Sequence, residues 1–184
     1  MRTLIINILL YVLPITVLAQ GKANYSVSTL QLSNQATEST SLNKICTQIV
    51  KHRNFQAIRR DKSGRMTGKL GRIAISADTI FYRIKIKNKS NINYDIDFIR
   101  FYVRDKKTAK RTVTQELEVY PIYSHGLDDD TIEGQSSTQY VFALNKVPLS
   151  EDKALFIELY EKDGSRHMYL KAEGTDLENA RLIK

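Results

Sequence analysis

Between Ile80 and Lys87 the side chains alternate: Ile80, Tyr82, Ile84 and Ile86 are apolar, and Phe81, Arg83, Lys85 and Lys87 between them are mostly basic. Successive side chains of a strand point to opposite faces, so the run predicts a strand with one buried face. Leu70, Ile73 and Ile75 predict a partner strand, joined through Ala77-Asp78. Further on, Tyr94, Ile96 and Phe98 alternate with Asp95 and Asp97, which places Ile96 and Phe98 in the core. After Phe98 the parity changes, and Ile99, Phe101 and Val103 become the apolar set. A change of face within one strand calls for a bulge or for burial on both sides. Strands are also expected over 116–123, 138–144, 155–161 and 166–171. The last two flank Lys162-Asp163-Gly164-Ser165, and Asp-Gly is a strong hairpin signal. Roughly seven strands with no long crossover helix between them predict an immunoglobulin-like antiparallel β-sandwich, not a parallel α/β sheet.

Ahead of the strands, Leu42, Ile45, Cys46, Ile49 and Val50 recur at helical spacing and predict one short helix, with Thr40 or Ser41 as its cap. Residues 20–40 are rich in Ser, Thr, Asn and Gln and read as a polar flexible linker. The start of the chain has the order of an export signal. Arg2 precedes the apolar run Leu4 to Leu13, then come Pro14 and the compact residues Val17-Leu18-Ala19. The expected arrangement is a signal peptide over 1–19, the linker over 20–40, and a single sandwich domain with its N-terminal helix over 41–184. An uncleaved N-terminal anchor is the other reading of the first segment. Cys46 is the single cysteine, so no internal disulfide forms, and its place on the apolar stripe makes it a packed thiol.

Motifs for chemistry are sparse. His52, His125 and His167 lie far apart in sequence, and none has a second ligand at metal-binding spacing. Asp128-Asp129-Asp130 is consecutive rather than alternating, which fits a solvated turn better than a calcium loop. No Gly-rich phosphate loop or nucleophile elbow is present. Catalytic, cofactor and metal residues are therefore expected to be none. The chain carries a net charge of +8, and five of the eight residues from Arg104 to Arg111 are basic. Arg104, Lys106, Lys107, Lys110 and Arg111 form a candidate partner-contact loop, against the plainer reading of a solvated connection that resists edge pairing. Contact with protein ranks ahead of DNA there, because no aromatic side chain is interleaved for base stacking. A DNA- or glycan-binding module is the alternative function. Its DNA form requires Lys85, Lys87, Lys106, Lys107, Lys110 and Arg111 on one face.

The run Asn88-Lys89-Ser90-Asn91-Ile92-Asn93-Tyr94-Asp95-Ile96-Asp97-Phe98-Ile99-Arg100-Phe101-Tyr102 continues through Val103-Arg104-Asp105-Lys106-Lys107 to Lys110-Arg111-Thr112 and Gln115-Glu116. With Val141-Phe142-Ala143-Leu144, Glu158-Leu159-Tyr160-Glu161-Lys162, Gly164 and Arg166-His167, it resembles the TraN family of Bacteroides-type conjugative transposons. The resemblance extends from Leu42 to the C-terminus. It implies a non-enzymatic subunit of a type IV secretion-like conjugation apparatus, exported to the periplasm or the inner face of the outer membrane. The implied partners are other envelope proteins of that apparatus, further copies of the chain and, peripherally, the outer membrane. It implies no catalytic residue. Family members carry a further β-rich region between signal and helix, and here the polar residues 20–40 take that place.

Overall fold

The computed structural model describes residues 23–107 and 115–183, with side chains from residue 37 onward. The expected signal peptide over 1–19 lies outside the described residues. Chain order is α1 (Ala23–Lys51), β1 (Ala57–Ser63), β2 (Met66–Gly71), β3 (Ala74–Ser76), β4 (Thr79–Asn88) and β5 (Tyr94–Asp105). The short pieces β6 (Leu117–Glu118), β7 (Tyr123–His125) and β8 (Thr131–Ile132) follow. Then come β9 (Ser137–Asn145), β10 (Lys153–Glu161), β11 (Met168–Glu173), α2 (Gly174–Glu178) and β12 (Arg181–Leu182). The fold is mainly β, a sandwich of two antiparallel sheets. Among the described residues only the short β12 runs parallel to its neighbour, β3.

In the first sheet β4 is central. It pairs with β2 through Ile84–Asn88, with β3 through Thr79–Phe81, and with β9 along its other edge. β1 extends the sheet beyond β2 and β7 extends it beyond β9. The second sheet has the order β11-β10-β5-β6, with β8 beside the start of β5. Ile80, Tyr82, Ile84 and Ile86 face inward as their alternation requires, against Phe101 and Val103 of β5 and Leu155, Ile157 and Leu159 of β10. Phe101 packs tilted on Phe142, ring centroids 5.0 Å apart.

The opposite face of β4 is not simply the exposed basic surface that its sequence suggests. Phe81 is buried with Ala74, Val141 and Ala143 beneath Leu42, Cys46 and Ile49 of α1. Arg83 is buried as well. Its guanidinium donates to the carbonyls of Val50 and His52, each at 3.0 Å, and to Gln139 Oε1 at 2.9 Å. It thereby satisfies carbonyls that the end of a helix leaves without partners.

Three expectations need correction. The polar stretch taken as a flexible linker is helical from Ala23. Between Ala23 and Lys51 no Gly or Pro interrupts the hydrogen-bond ladder, and the other residues cost only a few tenths of a kcal/mol each. Polarity there argues against burial, not against helix. Ser41 accordingly lies inside the helix, its hydroxyl donating to the Glu38 carbonyl, and does not cap a start. Second, Phe98 does not point inward. Tyr160 pairs with Phe98 and Glu161 with Ile96, so Asp97 is an extra residue in β5. The bulge comes one residue earlier than the apolar pattern suggests. It puts Phe98 on the outer face, 42% exposed, while Ile96 stays buried. Third, residues 116–123 do not form one strand. Pro121 cannot donate to a ladder, and the chain leaves one sheet and joins the other there.

Candidate functional site

The expected partner-contact loop begins where β5 ends. Arg104 Nη1 lies 3.3 Å from Glu116 Oε1, and its guanidinium stands 4.3 Å from the centroid of the Phe156 ring. Lys106 Nζ pairs with Glu173 at 3.4 Å. Lys107 is exposed and joins no ion pair with a described carboxylate. Lys110 and Arg111 lie outside the described residues. Of the six cations that the DNA form of the alternative requires on one face, four are described: Lys85, Lys87, Lys106 and Lys107. Lys85 and Lys87 lie on the outer face of the first sheet, and Lys106 sits beside the end of β11 through Glu173. Lys89 lies toward the other end of β11, where Arg166 reaches the Ser90 hydroxyl.

The outer face of the second sheet is a ladder of rings and ions. Tyr102 stacks on Phe156, and Phe98 stacks on Tyr160 with centroids 4.5 Å apart. Arg100 covers Tyr102 at 4.4 Å and pairs with Glu116 at 3.0 Å and Glu158 at 3.2 Å. The Tyr102 hydroxyl donates to Glu158. Burial pushes that hydroxyl's pKa well above its ordinary value, and the bond to Glu158 adds to the shift. Each described cation on this face is thus answered by a carboxylate.

The same ions fix the neighbouring segment. Arg100 and Arg104 both hold Glu116, the Val119 amide donates to the Phe101 carbonyl at 2.9 Å, and the Ile122 amide donates to the Ala143 carbonyl at 2.9 Å. The backbone from Glu116 to Ile122 is therefore tied to β5 of one sheet and β9 of the other, across one open side of the sandwich. Val119 packs on the core. Leu117, Tyr120 and Ile122 turn outward, 62%, 71% and 40% exposed. Burying a side chain of this size is worth about 1.5–3 kcal/mol, so three apolar groups held in water on a fixed backbone amount to a standing gain for any partner that covers them. The sequence pattern predicts an ordinary strand over 116–123. Pro121 is the signal against it.

A cleft of about 230 Å³ lies by the end of α1, lined by Phe55, Arg72, Arg83 and Arg181 among others. Arg83 is engaged there with Val50, His52 and Gln139, and Arg72 donates to the Asn179 carbonyl. The histidines remain apart: His52 contacts the Asn54 carbonyl, His125 contacts Asn43, and His167 packs on Tyr160. Among the described residues no three His, Cys, Asp or Glu side chains converge as a metal site.

These features define a β-sandwich protein that fixes an exposed apolar segment across one open side. Residues 39–182 match the family described as Domain of unknown function (DUF4138), and the chain belongs to that family. A search of the curated proteins finds no match.

Proposed function

We propose that this chain is a non-enzymatic structural subunit of a conjugative, type IV secretion-like transfer apparatus in the cell envelope. It docks on partner subunits through the Leu117–Ile122 segment. The observation that carries this reading is the rigid presentation of Leu117, Tyr120 and Ile122, tied to both sheets yet turned to solvent. The resemblance of residues 88–116, 141–144 and 158–167 to the TraN family supplies the setting, and the signal-like order of residues 1–19 supports export.

The test is affinity recovery of the tagged chain from envelopes of cells carrying the transfer element, with partners read by mass spectrometry. The wild type should recover other envelope proteins encoded by the element. Tyr120→Asp with Ile122→Asp should lose them without a change in melting temperature, since both side chains are exposed. Undiminished recovery by the double variant, or recovery of no such proteins by the wild type, would reject the reading.

A further inference from the structure

The outer face of the first sheet is divided. One half lies under α1. On the other half Arg60 stands opposite Lys69, and Lys69 opposite Lys85, in direct register across β1, β2 and β4. In the next row Lys62 and Lys87 flank Thr67. Lys89 follows at the end of β4. Neighbouring strands are about 4.8 Å apart, and like charges placed opposite one another destabilise a sheet. None of the six cations forms an ion pair with a described carboxylate. Arg60 above all, then partial desolvation, Lys85, Lys87 and Lys89, hold the Lys69 ammonium below its ordinary pKa. The contrast with the second sheet is internal to the molecule. There every described cation of the outer face has its carboxylate; here a cleft of about 200 Å³, with Thr67 on its floor, is ringed by Arg60, Lys62, Lys69, Lys87 and Lys89.

Three residues past Lys89, the chain presents Ile92, 71% exposed. The turn that carries it is locked. The buried Asn88 side chain donates to the Ile92 carbonyl at 2.8 Å and accepts from the Ser90 amide and hydroxyl at 3.0 and 2.6 Å. Asn93 accepts from the Gly134 amide, and Gln135 donates to Asn91.

We propose that the face formed by Arg60, Lys62, Lys69, Lys85, Lys87 and Lys89 binds the phosphate-bearing headgroups of an anionic membrane surface, with Ile92 entering the headgroup layer beside it. The inference goes beyond the docking segment and uses a different surface. An array of uncompensated cations spread over a flat sheet meets a planar array of phosphates at many points. A single apolar tip on a fixed turn gains burial at the boundary between headgroup and acyl chain. Nucleic acid fits less well, because no aromatic side chain stands among the cations to stack a base and an exposed isoleucine gains nothing from a phosphate backbone.

The test is flotation of the full chain with vesicles of phosphatidylglycerol or of phosphatidylcholine. Neutral vesicles set the baseline contributed by the rest of the chain, and the increment on anionic vesicles is the reading. The wild type should show a clear increment that falls as salt is raised. Lys69→Gln with Lys87→Gln should reduce it about twenty-fivefold, since one basic residue near such a surface is worth about fivefold. Melting temperature should hold or rise, because in-register repulsion is relieved. Ile92→Asp should also reduce the increment. Equal increments for wild type and both variants would overturn the proposal. So would short duplex DNA that binds the wild type more tightly than anionic vesicles do and loses that binding in the lysine variant.

Discussion

Phe98 and Ile96 are separated by one bulged residue, and the difference decides what each contributes. Ile96 is buried among core side chains, so Ile96→Ala should destabilise by about 2–5 kcal/mol, as deletion of buried methyl groups does. Phe98 lies on the outer face, 42% exposed and stacked on Tyr160, so Phe98→Ala should cost about 1 kcal/mol. Urea unfolding of the two variants checks the order, and equal losses would contradict the outward placement of Phe98. The alternation made the strand legible, and the parity change made a bulge legible. Its location was not, because Phe98 and Ile99 are both apolar and either could start the new face. Only the pairing of Tyr160 with Phe98 resolves which residue is extra. Cys46 was legible in full: its stripe of neighbours is the stripe that packs, and the thiol is buried.

At the scale of elements, the helical period from Leu42 to Val50 located the packing face of α1, yet not what lies beneath it. That surface is the Phe81 side of β4, whose two residues nearest the helix, Phe81 and Arg83, are covered while Lys85 and Lys87 beyond them are not. Nothing local in the sequence separates Arg83 from its basic neighbours; the length and position of α1 do. Arg83→Leu should leave the Val50 and His52 carbonyls without their donor and destabilise the protein by about 2–3 kcal/mol. Hydrogen exchange should then quicken over the last turns of α1 while β4 and β9 keep their protection. Uniform loss of protection across both would mean that Arg83 does not act as a local clasp. β1 escaped sequence reading for a related reason. Its run from Ala57 to Ser63 is dominated by charge, and it is a strand because β2 pairs with it.

Across the whole molecule, neutral groups in the interior set the alkaline limit of stability. Burial pushes the Cys46 thiol up to about 11 from 9.0, and likewise raises the buried tyrosines Tyr82, Tyr94 and Tyr140, the last to about 12. An unfolded chain releases these protons first. The stability they carry is therefore complete below about pH 9 and declines as pH rises through the folded values. Melting temperature should fall from pH 9 to 11, and Cys46→Ala should flatten the early part of that fall; an unaltered profile would show that the thiol does not ionise on unfolding. The sandwich itself was readable from strand parity, but its surfaces were not, since register alone brings Arg60, Lys69 and Lys85 together and ties Leu117–Ile122 to both sheets. The Arg83 clasp also has a mechanical side. Tension applied to the N-terminal side of the packed part of α1 would first work against its contacts with Ala74, Phe81, Val141 and Ala143 and against the Arg83 bonds to Val50 and His52, before it reached β1 along the chain. Under such a load the chain would shed its helix before its sheets, and the clasp would act as the fuse.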